Sequence, residues 1–196
     1  MLKGLDHDPP AKHKLTPLGI LMVATGMLTL YFARRENSDL WVDGLEHWWR
    51  MIAATVPQVG QLVIYLDNGP NNNGTRTQFL KRMVGFADAS GLIVRLVYYP
   101  PYHSKYNRIE RCWGLLEQKW NGVLLTTIKV VLQQALRMLW KGQHPSVRWL
   151  AGDYPDGVCV PRGAAQRQLE ARLGRSATLP KYDITIRPQT SERPVC

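Results

Sequence analysis

The sequence contains few cysteines and none of several short motifs that identify common classes of enzyme. Cys112, Cys159 and Cys196 are the only three cysteines in 196 residues, and their spacing fits neither a disulfide framework nor a zinc knuckle. The sequence also lacks a glycine-rich phosphate-binding loop, a nucleophile elbow and histidines at metal-ligand spacing. These absences argue against a disulfide-stabilised domain and favour a reduced, cytoplasmic protein.

A single uncharged stretch is long enough to span a bilayer, but turn residues interrupt it. Residues 15–33 carry no charge over nineteen positions and are followed by Arg34 and Arg35. Pro17 and the Thr25-Gly26 pair are more typical of two strands joined by a turn. No small-residue cleavage site precedes the arginines, so the stretch is not a signal peptide. We therefore predict no membrane span, with a small integral membrane protein as the alternative.

Positive charge is concentrated in the second two-thirds of the chain. The formal net charge is +10. Residues 1–66 hold six cations and six anions, whereas residues 67–122 have a surplus of four cations and residues 123–196 a surplus of six. A phosphate backbone is the obvious partner for such a surface, although the same charge would also serve solubility alone.

The spacing of apolar residues predicts an α/β domain with a mixed sheet flanked by helices. It indicates, in order, a hairpin, a helix, a strand, a helix, a strand and two further helices. The hairpin is expected at 17–23 and 27–34, and the two later strands at 61–66 and 92–98. The helices are expected from 38 to Pro57, at 75–89, around 109–120 and at 126–140. We expect one domain over residues 1–150 and an irregular basic extension over 151–196, where prolines recur.

Two acidic residues follow the predicted strands, at the edge where function gathers in open α/β sheets. Asp67 directly follows the strand of residues 61–66, and Glu110 lies at the start of the helix that follows strand 92–98. Carboxylates delivered to one sheet edge by neighbouring elements can bind a divalent metal through oxygen, as phosphoryl transfer requires.

A purely structural role is also open for each acid. The Asp67-Asn68-Gly69 sequence favours a tight turn without any catalysis. Asn107-x-x-Glu110 has the spacing of a capping box, in which Glu110 would only satisfy the helix N-terminus. Glu117 lies two turns along the same helix face, and only its greater distance from the strand ends argues against it.

Two blocks of the sequence strongly resemble a known family of transposases. YLDNGP at 65–70 and KYNRIER at 105–111, together with LDHD, LTPLGIL, the Trp48-Trp49 helix and LPKYDI, are similar to the ISAzo-type insertion-sequence transposases of bacteria. The resemblance implies a ribonuclease-H-like DDE domain, which cuts DNA at element ends and joins the freed 3′-hydroxyl to target DNA. It implies that Asp67 and Glu110 are catalytic metal ligands, for two Mg²⁺ or Mn²⁺ ions, in a cytoplasmic, nucleoid-associated protein.

The sequence departs from the family pattern in two places. The family's first catalytic Asp lies on a central strand upstream of LDHD, so we expect that strand and its Asp to be missing; Asp6 and Asp8 match LDHD instead. Arg108 stands where the family has Pro, and a cation there weakens the helix start and competes with metal if it pairs with Glu110. The expected function is that of a truncated DDE transposase, with a catalytically inactive DNA-binding remnant as the alternative.

Two expectations concern partners and assembly. The residues expected to contact DNA lie beyond residue 67: Arg76, Lys81, Arg82, Lys105, Arg111 and Lys119. Without its central strand, the sheet should show a gap, a direct pairing of the two exposed edges, or a strand from the N-terminal residues, and free edges favour self-association. Asp67 and Glu110 should still converge to within about 4–7 Å.

Overall fold

The computed structural model describes residues 15–100, 103 and 106–189. Within these ranges the protein is mixed α/β, as the sequence predicts. The strands are β1 Thr16–Leu21, β2 Leu28–Ala33, β3 Gln61–Leu66, β4 Ile93–Tyr98, β5 Ser146–Trp149, β6 Leu173–Arg175 and β7 Asp183–Ile186. The helices are α1 Ser38–Ile52, α2 Thr77–Ser90, α3 Glu110–Trp120, α4 Ile128–Leu136 and α5 Ala164–Glu170, with a 3₁₀ turn at Ala53–Thr55 after α1.

The strands form two mixed sheets. The first sheet has the order β1-β2-β5, in which β1 and β2 are antiparallel and β2 and β5 are parallel. The second has the order β3-β4-β7-β6, in which β3 and β4 are parallel and the other pairs are antiparallel. Among the described residues, β1 and β3 are edge strands and do not pair with each other, and the N-terminal residues expected as one possible partner lie outside the described ranges.

The uncharged stretch forms the β1–β2 hairpin predicted for it. Its turn is closed by hydrogen bonds between Met22 and Met27 and from Gly26 N to Met22 O, with Gly26 at φ +77°. A positive φ is easily adopted by glycine, which explains the residue at this position. None of the helices that the structure describes is long and apolar enough to cross a membrane.

The first sheet is covered by helices on both faces. All six residues of β2 are buried. Tyr31 packs in the core shared with α1 and α2, whereas Leu30 and Phe32 pack with residues of α3 and α4. A strand that is buried on both faces needs apolar residues at successive positions, as in parallel sheets between helical layers. The sequence of β2 therefore shows no alternation of apolar and polar residues.

Among the described residues, the second sheet is covered on one face and exposed on the other. Leu96 and Ile184 are fully buried in the core that contains α2 residues. On the opposite face Val63 is 40% and Tyr65 54% exposed. The alternation of exposed and less exposed residues along β3 follows from the two-residue repeat of a strand with one solvated face.

Helix α1 begins at Ser38, the position predicted for it. Asn37 is its N-cap, and its side chain accepts a hydrogen bond from Leu40 N at 2.9 Å. Ser38 is buried and donates to Asn71 O at 2.8 Å. This bond ties the start of α1 to the loop that follows β3.

The segment beyond residue 150 differs from the irregular extension that was expected. Between residues 151 and 189 it forms α5, β6 and β7, and β7 pairs with β4 along Val94 to Val97. Ile184 and Ile186 of β7 are fully buried. The strands are three and four residues long and are surrounded by prolines and glycines. Such short strands give too few positions for a period to be recognised in the sequence.

Candidate active site

Asp67 lies immediately after β3, whose last residue pairs with Tyr98 of β4. Its Oδ1 accepts hydrogen bonds from Gly69 N at 3.3 Å and from Asn72 Nδ2 at 2.9 Å. Asn68 between them has a φ of +63°, a left-handed conformation that Asn tolerates. Asp67 therefore does organise a turn, as its structural interpretation proposed. None of the described residues donates to Oδ2.

Asn72 is a site residue that sequence reasoning missed. It is 1% exposed, and its Nδ2 holds Asp67 while its own Oδ1 has no hydrogen-bond partner among the described residues. A Cβ on Gly69 would lie 3.2 Å from Asn72 Oδ1 and 3.5 Å from Asp67 Oδ1, so glycine permits this close approach. The available sequence signal was the run of asparagines after Pro70, which resembles any polar loop.

Glu110 is the first residue of α3, and the predicted capping box does not form. The N-cap position is Ile109, which provides no side-chain hydrogen bond. Asn107 contributes only its carbonyl oxygen, which accepts from Glu110 N at 3.2 Å. Without a capping partner at Asn107, the purely structural interpretation of Glu110 loses the contact on which it depended.

The two acids lie within range of each other's charge. Partial burial raises the pKa of the Glu110 carboxyl, and the negative charge of Asp67 raises it further. Two neighbouring carboxylates oppose each other's ionisation, and a bound cation relieves that repulsion. Among the residues that the structure describes, neither acid forms an ion pair, so Arg108 does not pair with Glu110.

The donor atoms of this pair suit a hard divalent cation. Carboxylate oxygens are the protein ligands that Mg²⁺ and Mn²⁺ prefer. In residues 15–100, 103 and 106–189, no group of three or more His, Cys, Asp or Glu is placed to hold a metal. Asp6 and Asp8 lie outside the described residues. Asp67 and Glu110 are thus two candidate ligands, fewer than a metal site in a protein generally uses.

The residues expected to contact DNA differ in how free their side chains are. Lys81, Arg111 and Lys119 are exposed, Arg76 is half-buried, and Lys105 lies outside the described residues. Arg76 donates to Val158 O at 3.3 Å and to Ser38 Oγ at 3.4 Å. Only the exposed residues are free to reach a phosphate without breaking a contact within the protein.

Arg82 is held by three acids of α1. It bonds Asp39 at 2.8 Å, Asp43 at 2.6 Å and Glu46 at 3.3 Å. Burial alone would lower the pKa of the Arg82 guanidinium, but the hydrogen bonds that it donates to Asp43, Asp39 and Glu46 outweigh burial and raise the pKa. A guanidinium engaged in this way joins α1 to α2 and has little capacity for a second anion.

A mixed α/β fold with two carboxylates after neighbouring strand ends is compatible with a nuclease-like DDE domain. Comparison with protein families is more specific, since the model of the Rhodopirellula transposase DDE domain matches residues 2–188. The chain belongs to this family of transposase DDE domains, which confirms the resemblance found in its sequence. Searches of curated proteins and of solved structures returned no match.

Proposed function

We propose that this chain provides part of the catalytic site of a transposase that cuts DNA strands and joins them to a target, with Asp67 and Glu110 as metal-binding catalytic residues. The observation that carries the proposal is the closeness of the two acids at the strand ends: partial burial raises the pKa of Glu110, and the charge of Asp67 raises it further. Family membership supports a DNA substrate. The DNA would be the ends of an insertion sequence and its target, in the bacterial cytoplasm at the nucleoid.

The two acids have distinct tasks in this proposal. Asn72 and the Gly69 amide donate hydrogen bonds to Asp67 Oδ1 and so hold the carboxylate in place. Its Oδ2 is then the oxygen that would bind the metal. Glu110 is exposed at the start of α3, so it would approach the substrate from this helix, whereas Asp67 would approach from the loop after β3. Asp67 and Glu110 would hold Mg²⁺ or Mn²⁺, which would supply Lewis-acid activation of the attacking oxygen and charge stabilisation of the leaving one.

A second candidate function is DNA binding without cleavage by this chain alone. It is favoured by the finding that no group of three or more His, Cys, Asp or Glu among the described residues is placed to hold a metal, whereas metal binding generally uses more than two ligands. On this proposal the site lacks a further acid, the one that the family carries on the central strand expected to be missing from this sequence. The exposed cations would still hold duplex DNA, and affinity would fall steeply with salt.

The test separates these two functions through metal binding and cleavage. We expect Mn²⁺ to raise the Tm of the wild-type chain, because a ligand of the folded state stabilises it. Glu110→Gln should abolish that increase, whereas Glu117→Gln on the same helix should retain it. An equal Mn²⁺ effect in the Glu110→Gln variant would remove Glu110 from the site.

Cleavage of labelled DNA carrying the element ends gives the second measurement. Metal-dependent cleavage that disappears on Asp67→Asn supports catalysis by this chain. Salt-sensitive binding without cleavage supports the DNA-binding alternative. Absence of both metal stabilisation and DNA binding would contradict both candidate functions.

A further inference from the structure

A recess of about 450 Å³ lies where three parts of the protein meet. The β1–β2 turn contributes Leu21, Val23 and Gly26, the approach to α3 contributes Tyr106, Arg108 and Arg111, and the turn after α4 contributes Trp140 and Lys141. This volume is within the range of sites that bind small molecules or single groups of a larger ligand. Glu110 stands between two of the lining arginines in the sequence, so a ligand in the recess is close to the start of α3.

The charge of the recess is entirely positive. Its ionisable walls are Arg108, Arg111 and Lys141, and no carboxylate is among the described lining residues. None of these three cations forms an ion pair with a described residue. Arg82 and Arg172, by contrast, are each neutralised by acids of the protein. Three unpaired cations around one concavity favour an anionic ligand.

The recess also has aromatic walls. Tyr106 is 60% exposed and its ring stacks on that of His103 at 5.8 Å between centroids, and Trp140 is half-buried in the same lining. The Nε1 atom of Trp140 is buried and has no hydrogen-bond partner among the described residues. An aromatic wall binds a flat ring by stacking, and cations beside it bind phosphate, which together describe the chemistry of a nucleotide.

Lys141 is held in place by its backbone. It is a non-glycine residue with a φ of +49°, in a turn closed by two hydrogen bonds of 2.9 Å between Trp140 and Gln143. Its Nζ lies 5.9 Å from the centre of the Trp140 ring, and a Cβ on Gly26 would lie 3.3 Å from its Cδ. Backbone strain of this kind is concentrated at functional sites, so a positively charged side chain fixed against a tryptophan at this position fits a binding role.

We propose that this recess binds one unpaired nucleotide of the DNA, with its base against Trp140 and Tyr106 and its phosphates held by Arg108, Arg111 and Lys141. The inference rests on the proposed function, since it assumes that DNA is the substrate. A paired base is stacked inside the duplex and cannot reach aromatic walls, so the recess selects a base that has left the stack. Arg108 then contributes to DNA binding, although it departs from the family pattern.

The test compares two labelled duplexes that differ only in one extrahelical thymidine at the centre. Fluorescence anisotropy measures the Kd of the full chain for each. We expect the duplex with the unpaired nucleotide to bind about tenfold more tightly, the effect of one stacked base. Trp140→Leu keeps an apolar side chain at this half-buried position and should abolish the preference for the duplex with the unpaired nucleotide.

Lys141→Gln provides a variant that does not depend on core packing, and Lys129→Gln is its matched control. Lys129 is an exposed lysine of α4 outside the recess. Lys141→Gln should reduce the preference, whereas Lys129→Gln should leave it unchanged. Equal Kd values for the two duplexes, or a preference that survives both recess variants, overturn this inference alone. Failure to bind either duplex counts against the proposed function itself.

Discussion

The cluster around Arg82 allows a direct test of what holds α1 to α2. Arg82 donates to Asp39, Asp43 and Glu46, and its side chain is 27% exposed. Replacing it with alanine removes the cation and leaves the three carboxylates facing α2 along successive turns of α1. Asp39 would keep a single neutral partner, since Gln78 Nε2 donates to its Oδ1 at 2.9 Å.

The size of the effect depends mainly on Asp39. Loss of one partner from a fully buried ion pair costs about 3–5 kcal/mol, and exposed pairs contribute about 0–1 kcal/mol. Asp39 is 19% exposed, whereas Asp43 and Glu46 are 37% and 38% exposed and are screened by water. We therefore expect Arg82→Ala to lower the free energy of unfolding by about 2–3 kcal/mol, an intermediate value. For a chain of this size that lowers the Tm by about 4–12 °C.

Lys81→Ala is the matched control, because Lys81 is the exposed neighbour of Arg82 and forms no ion pair with a described residue. Thermal and urea unfolding measure stability, and a salt titration of duplex binding measures the DNA contribution. Arg82→Ala should lose stability, whereas Lys81→Ala should lose DNA affinity at unchanged stability. If both variants unfold at the same temperature as the wild type, the cluster does not hold the helices together. If Arg82→Ala weakens DNA binding in a fully stable protein, Arg82 is a DNA contact as the sequence suggested.

The candidate active site and the α2 surface give three further predictions. Asn72→Ala should release Asp67 Oδ1 and weaken Mn²⁺ stabilisation several-fold, because the loop no longer fixes the carboxylate; a Tm titration with unchanged Mn²⁺ affinity would contradict this positioning role. The raised pKa of Glu110 stabilises the fold below the ordinary pKa of a glutamate, and that contribution is lost as pH rises through the raised value. Glu110→Gln should therefore raise the Tm at neutral pH but not at pH 4, and a pH-independent effect would argue against coupling. The Arg172 guanidinium lowers the pKa of Asp88, so the stability from this pair is present above the ordinary aspartate pKa and is lost as pH falls through the lowered value. Arg172→Ala should remove this part of the acid sensitivity, and an unaltered Tm profile in acid would refute it.

The elements with a clear hydrophobic period could be predicted from the sequence. The hairpin strands, β3 and β4 begin and end within two residues of their predicted bounds. Helix α1 begins at its predicted residue and ends at Ile52, before the predicted limit at Pro57. Each is bounded by a turn or a proline, and each has enough residues for its period to be recognised. Helix α4 is shorter than expected, because the Thr127 side chain caps it at Val130 N and it ends at Leu136.

Features created by tertiary contacts could not be predicted in the same way. The pairing of β7 with β4 joins residues that are far apart in sequence, and no local pattern encodes it. Asn72 is indistinguishable from its neighbours until the loop folds and places it against Asp67. Arg82 counts as a free cation in the sequence, and only the packing of α1 on α2 shows that its charge is already neutralised. A sequence therefore suggests candidate DNA contacts but does not show which cations are available.

The free edges of β1 and β3 predict how the chain behaves in solution. Leu18 of β1 and Leu66 of β3 belong to the same buried core, so the two sheets lie over one helical layer although they do not pair. An edge with unpaired backbone groups and apolar residues such as Val63, which is 40% exposed, is a template for another strand. We expect the purified chain to self-associate with increasing concentration, as size-exclusion chromatography with light scattering would show. Val63→Lys places a charge on the edge strand β3 and should reduce association. Val97→Lys places the same charge on the interior strand β4 and should not reduce association through the edge. A monodisperse monomer at every concentration, or equal association of the wild type and Val63→Lys, would show that the β3 edge is not the contact.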